Sequence, residues 1–566
     1  MKEVTWIDFK ESGDSTFDEL ATIPLRIISW NILGDGLKLS LSAKHDYCPR
    51  DLRVWKKDVN DPTVPGTNGR CERTAEKLLA LNADIMCLQE CLPHMFDDLC
   101  DNSRLKEEYV GFHMKNFLVD TIQDLLSDEM RKKTSNGKDI SSSASPSATT
   151  ASASPAGQGE YGNAIFLRQS LISSGSVAVH GVKSGLFQTL GPQLPSTGSS
   201  KVTGKVRKRL VMLDCYGFLI MKLRTVPNQN VKQTPASKAT PVDVLVICTH
   251  LFWNPTDPHV KALQAEILAQ VANICARGKL PPDSSKEASS KKGKKRHTEH
   301  NTTNDISNDE TKKMREEQDY TSNSCARSNP CLVLICGDFN SIPVFQPEFL
   351  TTEDEIKRLA ELCKNGGATE PLSIVHKPRI LSNEAKLNVP IDRLPYSFQQ
   401  SAVFRLLTQG SLESSHPEHP DTFGRGNVVS SSKKKMKLCG PLFVDPFVTD
   451  PPVGFRMAYG FPDHMFSRNG VHWTVPRTDI KNVWPDLTTK VTDFEGVIDY
   501  IFWNLVAEGS TDAENNAQTD ASVKDLIVEA GVLRVPKLCG PIPDECHTSD
   551  HFPIGMSMRI RRQLDI

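Results

Sequence analysis

Six apolar runs in the sequence each end on, or carry, a residue able to bind a cation, move a proton or hold a phosphate oxygen. Asn31 follows LRIISW, Glu90 follows ADIMCLQ, His250 follows VLVICT, and Asp338 follows LVLICG with Asn340 just beyond it. Asp499 lies inside GVIDYIF, and the pair Asp550 and His551 precedes FPIGMSM. A single Asp after a strand is more often a turn former or helix cap than a catalyst, and a single His is more often a satisfied structural residue. As a set they are harder to assign to turns, because every member is a carboxylate, an amide or an imidazole.

Those residue types suit one chemistry. Carboxylate and amide oxygens are the ligands of a hard cation such as magnesium, with manganese as a substitute, and such an ion keeps sites for water and substrate phosphate oxygens. Histidines donate hydrogen bonds to phosphoryl oxygens as charge builds on them, and a further carboxylate orients or deprotonates water. Together these functions spell metal-assisted phosphoryl hydrolysis. Cys87 and Cys91 have no matching Cys/His pair at zinc-site spacing, so zinc is not expected.

Positioning such residues calls for strands. The runs 25–30, 83–89, 163–168, 211–223, 242–249, 331–337 and 496–503 are short, apolar and rich in Val and Ile, which predicts strands buried on one or both faces. Helical spacing of apolar residues recurs from Arg73 to Leu81 and from His259 to Ala276. The expected architecture is α/β: two packed β-sheets flanked by helices, a four-layer sandwich formed by a single catalytic domain over 22–562. Residues 132–160, 281–329 and 409–439 are rich in Ser, Gly, Lys and Asn without apolar periodicity and are expected to be flexible insertions.

The chain has 566 residues, 38% hydrophobic and 24% charged, enough to bury a large core, and its net charge of −2 provides no global attraction for a polyanion. Fifteen cysteines are too sparse for a disulfide scaffold, and several sit in apolar runs as reduced core residues. The start MKEVTWIDFK has neither signal-peptide nor transit-peptide character, and no run approaches a membrane span. A soluble, cytoplasmic protein without membrane contact is expected. The lysine runs from Lys291 to Arg296 and from Lys433 to Lys437 are candidate nuclear or RNA-contacting signals, although solvated loop lysines are the favoured reading.

The strings SWNILGDGL, DIMCLQEC, THLFWNP, CGDFNSIP, DFEGVIDYIF and TSDHFPIG, in that order, resemble the ordered motifs of the endonuclease/exonuclease/phosphatase superfamily, whose fold is DNase I-like. THLFW and GVIDYIF are similar to the branch that holds the carbon-catabolite-repression deadenylases, nocturnin, the Angel proteins and the 2′,5′-phosphodiesterase. The resemblance implies Glu90 as the central metal ligand with Asn31 assisting and Asp550 on the metal side. It implies that Asp338 positions or deprotonates water, Asn340 holds the scissile phosphate, and His250 and His551 stabilise its oxygens, with Asp499 orienting His551. Phe494 matches a position that stacks on a base, with a buried strand aromatic as its plainer reading, and Arg73 is a candidate phosphate contact. Trp30 departs from the Tyr of many relatives, and Phe252 and Trp253 are expected to shape the pocket wall. The activity implied is a magnesium-dependent 3′-to-5′ exoribonuclease acting on RNA, above all poly(A) 3′ ends. The alternatives are a 2′-phosphatase acting on a nicotinamide dinucleotide and an inactive RNA-binding scaffold.

Overall fold

The computed structural model describes residues 5–8, 22–34, 69–117, 162–190, 216–226, 241–254, 257–277, 329–342, 401–409, 456–457, 464–468, 471–474, 488–491, 494–506, 527–534, 542–544 and 547–561, together with positions 52, 55, 412, 416, 418 and 419. Numbering the described strands along the chain, one seven-stranded sheet runs β1 (Thr5–Asp8), β16 (Ile527–Arg534), β17 (Ile554–Arg561), β2 (Thr22–Asn31), β3 (Ile85–Gln89), β5 (Ala164–Arg168), β4 (Tyr109–His113). A six-stranded sheet runs β10 (Arg456–Met457), β15 (Asp499–Val506), β9 (Cys331–Asp338), β8 (Asp243–His250), β7 (Gly217–Thr225), β6 (Val177–Leu186). A smaller four-stranded sheet runs β12 (Val471–Thr474), β11 (His464–Arg468), β14 (Phe494–Gly496), β13 (Thr489–Val491).

The central strands are apolar at nearly every position because both of their faces are covered. In β9, Leu332, Leu334 and Cys336 pack into the core between the two large sheets, where Ile27, Ile85, Cys87, Val246 and Cys248 meet them. The alternate residues Val333 and Ile335 face outward into a second core built with the Pro258–Arg277 and Ala402–Gln409 helices. On the far side Ile28, Trp30, Met86 and Leu88 pack under the Gly69–Leu81 and Pro93–Asp101 helices. The result is helix, sheet, sheet, helix: the four-layer α/β sandwich expected from the sequence. The described cysteines are thiols, all buried except half-buried Cys100. Among the described residues no helix is long and apolar enough to cross a membrane.

Some expectations needed adjustment. The run 496–503 is not one strand: β14 ends at Gly496 and β15 begins at Asp499. Between them the backbone N–H groups of Ile498 and Asp499 both donate to Oγ1 of Thr488, at 2.9 and 3.2 Å, which draws the chain out of one sheet before it enters the other. The run 211–223 becomes a strand only from Gly217, and 211–215 lie outside the described residues. Residues 132–160, and 281–329 apart from Asn329, also lie outside them. Of 409–439, Leu412, His416, Glu418 and His419 are described and buried; Glu418 accepts the backbone N–H of Ala402 at 2.6 Å, so this start of the segment packs on the helix before it.

One buried charge cluster serves the scaffold. Asp243, at the start of β8, accepts from Arg224 at 2.7 Å and lies 3.2 Å from Nζ of Lys222 on the neighbouring strand. Burial would raise the Asp243 pKa, but the two cations outweigh it and hold the carboxyl below its usual value. Removing the carboxylate leaves the buried Lys222 ammonium without this counter-charge, so Asp243→Ala is expected to cost about 3 kcal/mol of stability. Urea unfolding checks the figure, and a loss under 1 kcal/mol would show that the cluster is dispensable. Because the folded pKa is depressed, this contribution is present at neutral pH and is lost as pH falls through the folded value.

Candidate active site

Strand register brings the site together. β8 and β9 run parallel with His250 opposite Asp338, and β15 pairs antiparallel with β9 so that Asp499 is also opposite Asp338. In the other sheet the parallel pair β2 and β3 sets Asn31 opposite Gln89, one residue before Glu90. β17 pairs with β2 and carries at its entry the loop that holds Asp550 and His551. Asn31, Glu90, His250, Asp338, Asn340, Asp499, Asp550 and His551 thus come to the same edge of the two packed sheets.

Local backbone geometry aims them. Glu90, Asn340 and Leu33 adopt left-handed φ values of 54°, 47° and 62°, a conformation that costs a non-glycine residue energy and is kept where the surroundings enforce it. Gly337 is required immediately before Asp338: a Cβ there would lie 2.2 Å from the carbonyl oxygen of Thr249 on the adjoining strand.

Asp338 is the hub. Its Oδ2 accepts from Nδ2 of Asn31 at 3.0 Å and lies 3.5 Å from Nε2 of His250 and 3.7 Å from Nε2 of His551. Its Oδ1 accepts the backbone N–H of Asn340 at 2.8 Å. The Asn340 amide, partly open to solvent, donates to the Leu251 carbonyl at 3.0 Å and lies 2.9 Å from Nε2 of His250. Glu90 accepts from Asn31 Nδ2 at 3.0 Å and from the Gly34 N–H at 2.8 Å. Asn31 therefore presents its amide protons to both carboxylates, while its oxygen accepts the Leu33 N–H at 3.0 Å.

His551 and Asp499 act as a pair. Nδ1 of His551 lies 2.9 Å from Oδ2 of Asp499, which turns Nε2 toward Asp338 and leaves it 3.9 Å from Oδ1 of Asp550. Burial alone would favour a neutral ring, but the carboxylates of Asp499, Asp338 and Asp550 outweigh it and hold the imidazolium proton far above the usual range. Burial also pushes the Asp499 carboxyl up to about 6 against the pull of His551. The two residues thus keep a proton between them.

Further residues complete the frame, and of these the sequence reading passed over Ser549 and Tyr216. Trp30, the departure from the common Tyr, is buried and donates Nε1 to the carbonyl of His551 at 3.0 Å. Ser549 donates to the Asn31 carbonyl at 2.6 Å and accepts the His551 N–H at 3.1 Å, stitching the loop before β17 to the end of β2. Its place inside TSDHFP was the only available signal. Tyr216 stands edge-on to His250 at 5.5 Å and Phe252 edge-on to Tyr216 at 5.5 Å, an aromatic wall that ends in exposed Trp253. Arg73 is half-buried on a helix whose Thr74 touches Thr548, two residues before Asp550. Phe494 opens β14, opposite Arg468 and Val491, and its side chain lies outside the described residues.

The oxygen-rich donor set fits a divalent cation. Ligand atoms of Asp338, Asp499 and His551 lie within 4.8 Å of one another, and Glu90 adds a further carboxylate that meets Asp338 through the Asn31 amide. Four carboxylates around one small volume create a surplus of negative charge that a cation would offset. The side chains of Glu90 and Asp550 are more open to solvent than those of Asp338 and Asp499.

Fold and site together define an α/β-sandwich hydrolase of phosphate esters. The model of the Endonuclease/Exonuclease/phosphatase family matches residues 28–352, more than half of the chain, and the protein belongs to that family. Asp499, Asp550 and His551 lie beyond the matched span and join the site through strand pairing. Among solved structures, the chain is similar to ANGEL2, a 2′,3′-cyclic phosphatase, in complex with adenosine-2′,3′-vanadate (TM-score 0.41, 14% identity, 99% of each chain covered). It is also similar to the human Nocturnin catalytic domain with bound sulfate (0.31, 12%, 94% of each). A third is D. rerio TDP2 with a single-strand DNA product (0.29, 12%, 94% of this chain and 98% of that one). No curated protein matched the sequence.

Proposed function

We propose that the protein is a magnesium-dependent phosphodiesterase that removes 5′-nucleotides from RNA 3′ ends, with poly(A) as the preferred class of substrate. The observation that carries this reading is the hub at Asp338, whose carboxylate is surrounded by Asn31, His250, His551 and Asn340. The RNA assignment rests on the wording of THLFWNP and GVIDYIF, which resembles the deadenylase branch.

In this reading Asp338 takes a proton from the attacking water, whose oxygen forms the new bond to phosphorus as the bond to the ribose 3′ oxygen breaks and that oxygen takes up a proton from solvent to leave as the 3′-hydroxyl. On substrate binding the Asn340 amide exchanges its contact with Nε2 of His250 for a non-bridging phosphate oxygen, which frees that Nε2 to join Nε2 of His551 in donating to the oxygens as negative charge gathers on them. Asp499 fixes the His551 ring so that Nε2 faces the reaction. Glu90 and Asp550 would hold magnesium, with Asn31 orienting the Glu90 carboxylate through its amide protons, and the ion would supply Lewis-acid polarisation of the phosphate and a lowered pKa for water.

Two arms test the proposal. EDTA is expected to abolish hydrolysis of a 5′-labelled oligoadenylate, with magnesium or manganese restoring it and zinc failing to do so. Chromatography of the products is expected to show 5′-AMP with stepwise shortening. Full turnover after EDTA treatment would remove the metal from the mechanism. Turnover of NADPH, or of RNA ending in a 2′,3′-cyclic phosphate, with oligoadenylate untouched would replace the exonuclease assignment.

A further inference from the structure

The Pro258–Arg277 helix packs on the outer face of the six-stranded sheet, and its residues Val260, Ala262 and Leu263 are all core residues. Lys261 sits among them, only 5% exposed, in the helix's opening turns. Three features of this position disfavour an ammonium. Removing a charge from water is costly, the positive end of the helix dipole repels a cation, and an apolar side chain of similar volume would suit the surrounding core. A lysine placed there is best explained by what its nitrogen touches.

Nζ of Lys261 donates to the carbonyl oxygen of Asn340. Asn340 is the left-handed residue whose N–H is held by Asp338 and whose side-chain amide spans Leu251 and His250. Its carbonyl is thus held from beneath while its amide is held from the site. The ammonium is also within electrostatic reach of Glu418, Asp338 and Asp257, whose charges offset part of the cost of burial, and the net effect lowers its pKa from the usual lysine value to about 8. Glu418 is fixed in turn by the N–H of Ala402 at the start of the second covering helix.

We infer that Lys261 is a positioning residue of the catalytic centre: it clamps the Asn340 peptide in its left-handed conformation and sets a positive charge against the loop that follows Asp338. The turnover part of this inference rests on the proposed phosphodiester hydrolysis, whereas the charge part does not. Neutralising Lys261 leaves the carboxylates less compensated, so a divalent cation should bind more tightly. Freeing the Asn340 peptide should let its amide drift, and a displacement of about 1 Å at a positioning group costs up to ~10²-fold in rate.

The test uses the full-length protein with Lys261→Met, which removes both charge and donor, Lys261→Gln, which keeps a donor, and Lys261→Arg, which keeps the charge. Manganese affinity is read from the free-ion EPR signal, and kcat and KM are read with magnesium and oligoadenylate. Lys261→Met is expected to bind manganese about 3-fold or more tightly and to lose about 10-fold or more in kcat with KM within about 2-fold. Lys261→Gln is expected to show the same gain in manganese affinity with a smaller loss of kcat, and it carries the test should the Met variant fail to fold. Lys261→Arg is expected to keep the wild-type manganese affinity. A residue that merely filled space would move neither the metal affinity nor the split between kcat and KM. Wild-type manganese affinity in both neutral variants overturns the inference. If the wild type binds manganese but leaves oligoadenylate intact, the substrate assignment falls while the manganese arm still decides the role of Lys261.

Discussion

Asp338→Asn is expected to lower kcat on oligoadenylate by about 10² to 10⁴-fold, the range associated with loss of a proton-transfer group, while leaving the fold in place. The substitution is isosteric, and Oδ1 of the new side chain can still accept the Asn340 N–H. At Oδ2 the change is larger. The replacement NH2 group would face Nδ2 of Asn31 at the present 3.0 Å, donor against donor, and the group proposed to deprotonate water would be lost. His250 and His551, 3.5 and 3.7 Å from that oxygen, would also lose the carboxylate they face. Steady-state kinetics beside circular dichroism and a thermal midpoint make the distinction: a variant that keeps both spectrum and turnover sinks the assignment of Asp338 as the hub, and one that unfolds makes it a structural residue.

Asp499→Asn, His551→Gln and the double variant are expected to lose similar amounts of kcat, each on the order of 10²-fold or more, because the two side chains act as one unit. Asp499 is 1% exposed and its Oδ2 lies 2.9 Å from Nδ1 of His551, so its contribution to turnover passes through the ring it holds. Without the carboxylate, the ring loses both its orientation and the largest of the attractions that keep it protonated. A double-mutant cycle on folded protein measures the coupling; additive losses would show that Asp499 and His551 serve separate purposes.

The residues of the site were legible in the sequence because each sits at the end of an apolar run, and such a run is a local signal. Strands β3, β8 and β9, and β2 from Ile27 onward, are buried on both faces, so their sequences are mostly apolar and give way to polar residues at Asn31, Glu90, His250 and Asp338. β6 (Val177–Leu186) was not legible. It lies at the edge of its sheet, alternates buried and open positions, and carries His180, Gly181 and Lys183, so no continuous apolar run marks it. β16, β1 and β4 were missed too, the last carrying partly open Val110, Gly111 and Phe112 between buried ends.

What the sequence determined by itself was the chemistry on offer: carboxylates, amides and imidazoles at strand ends, and enough doubly buried strands for two packed sheets. What only the tertiary structure decided was how those groups are ranked and held. Pairing of β15 with β9 put Asp499 against Asp338, and pairing of β17 with β2 brought in His551, so Asp338 became the centre of the contacts. Trp30, Ser549 and Lys261 took supporting roles through hydrogen bonds to atoms far away in the chain. The physical reason is that residue type fixes what a group can do, whereas its partners, its burial and hence its charge depend on strand register and on which backbone carbonyls come within 3 Å or so, and these are set by contacts that no local stretch of sequence encodes.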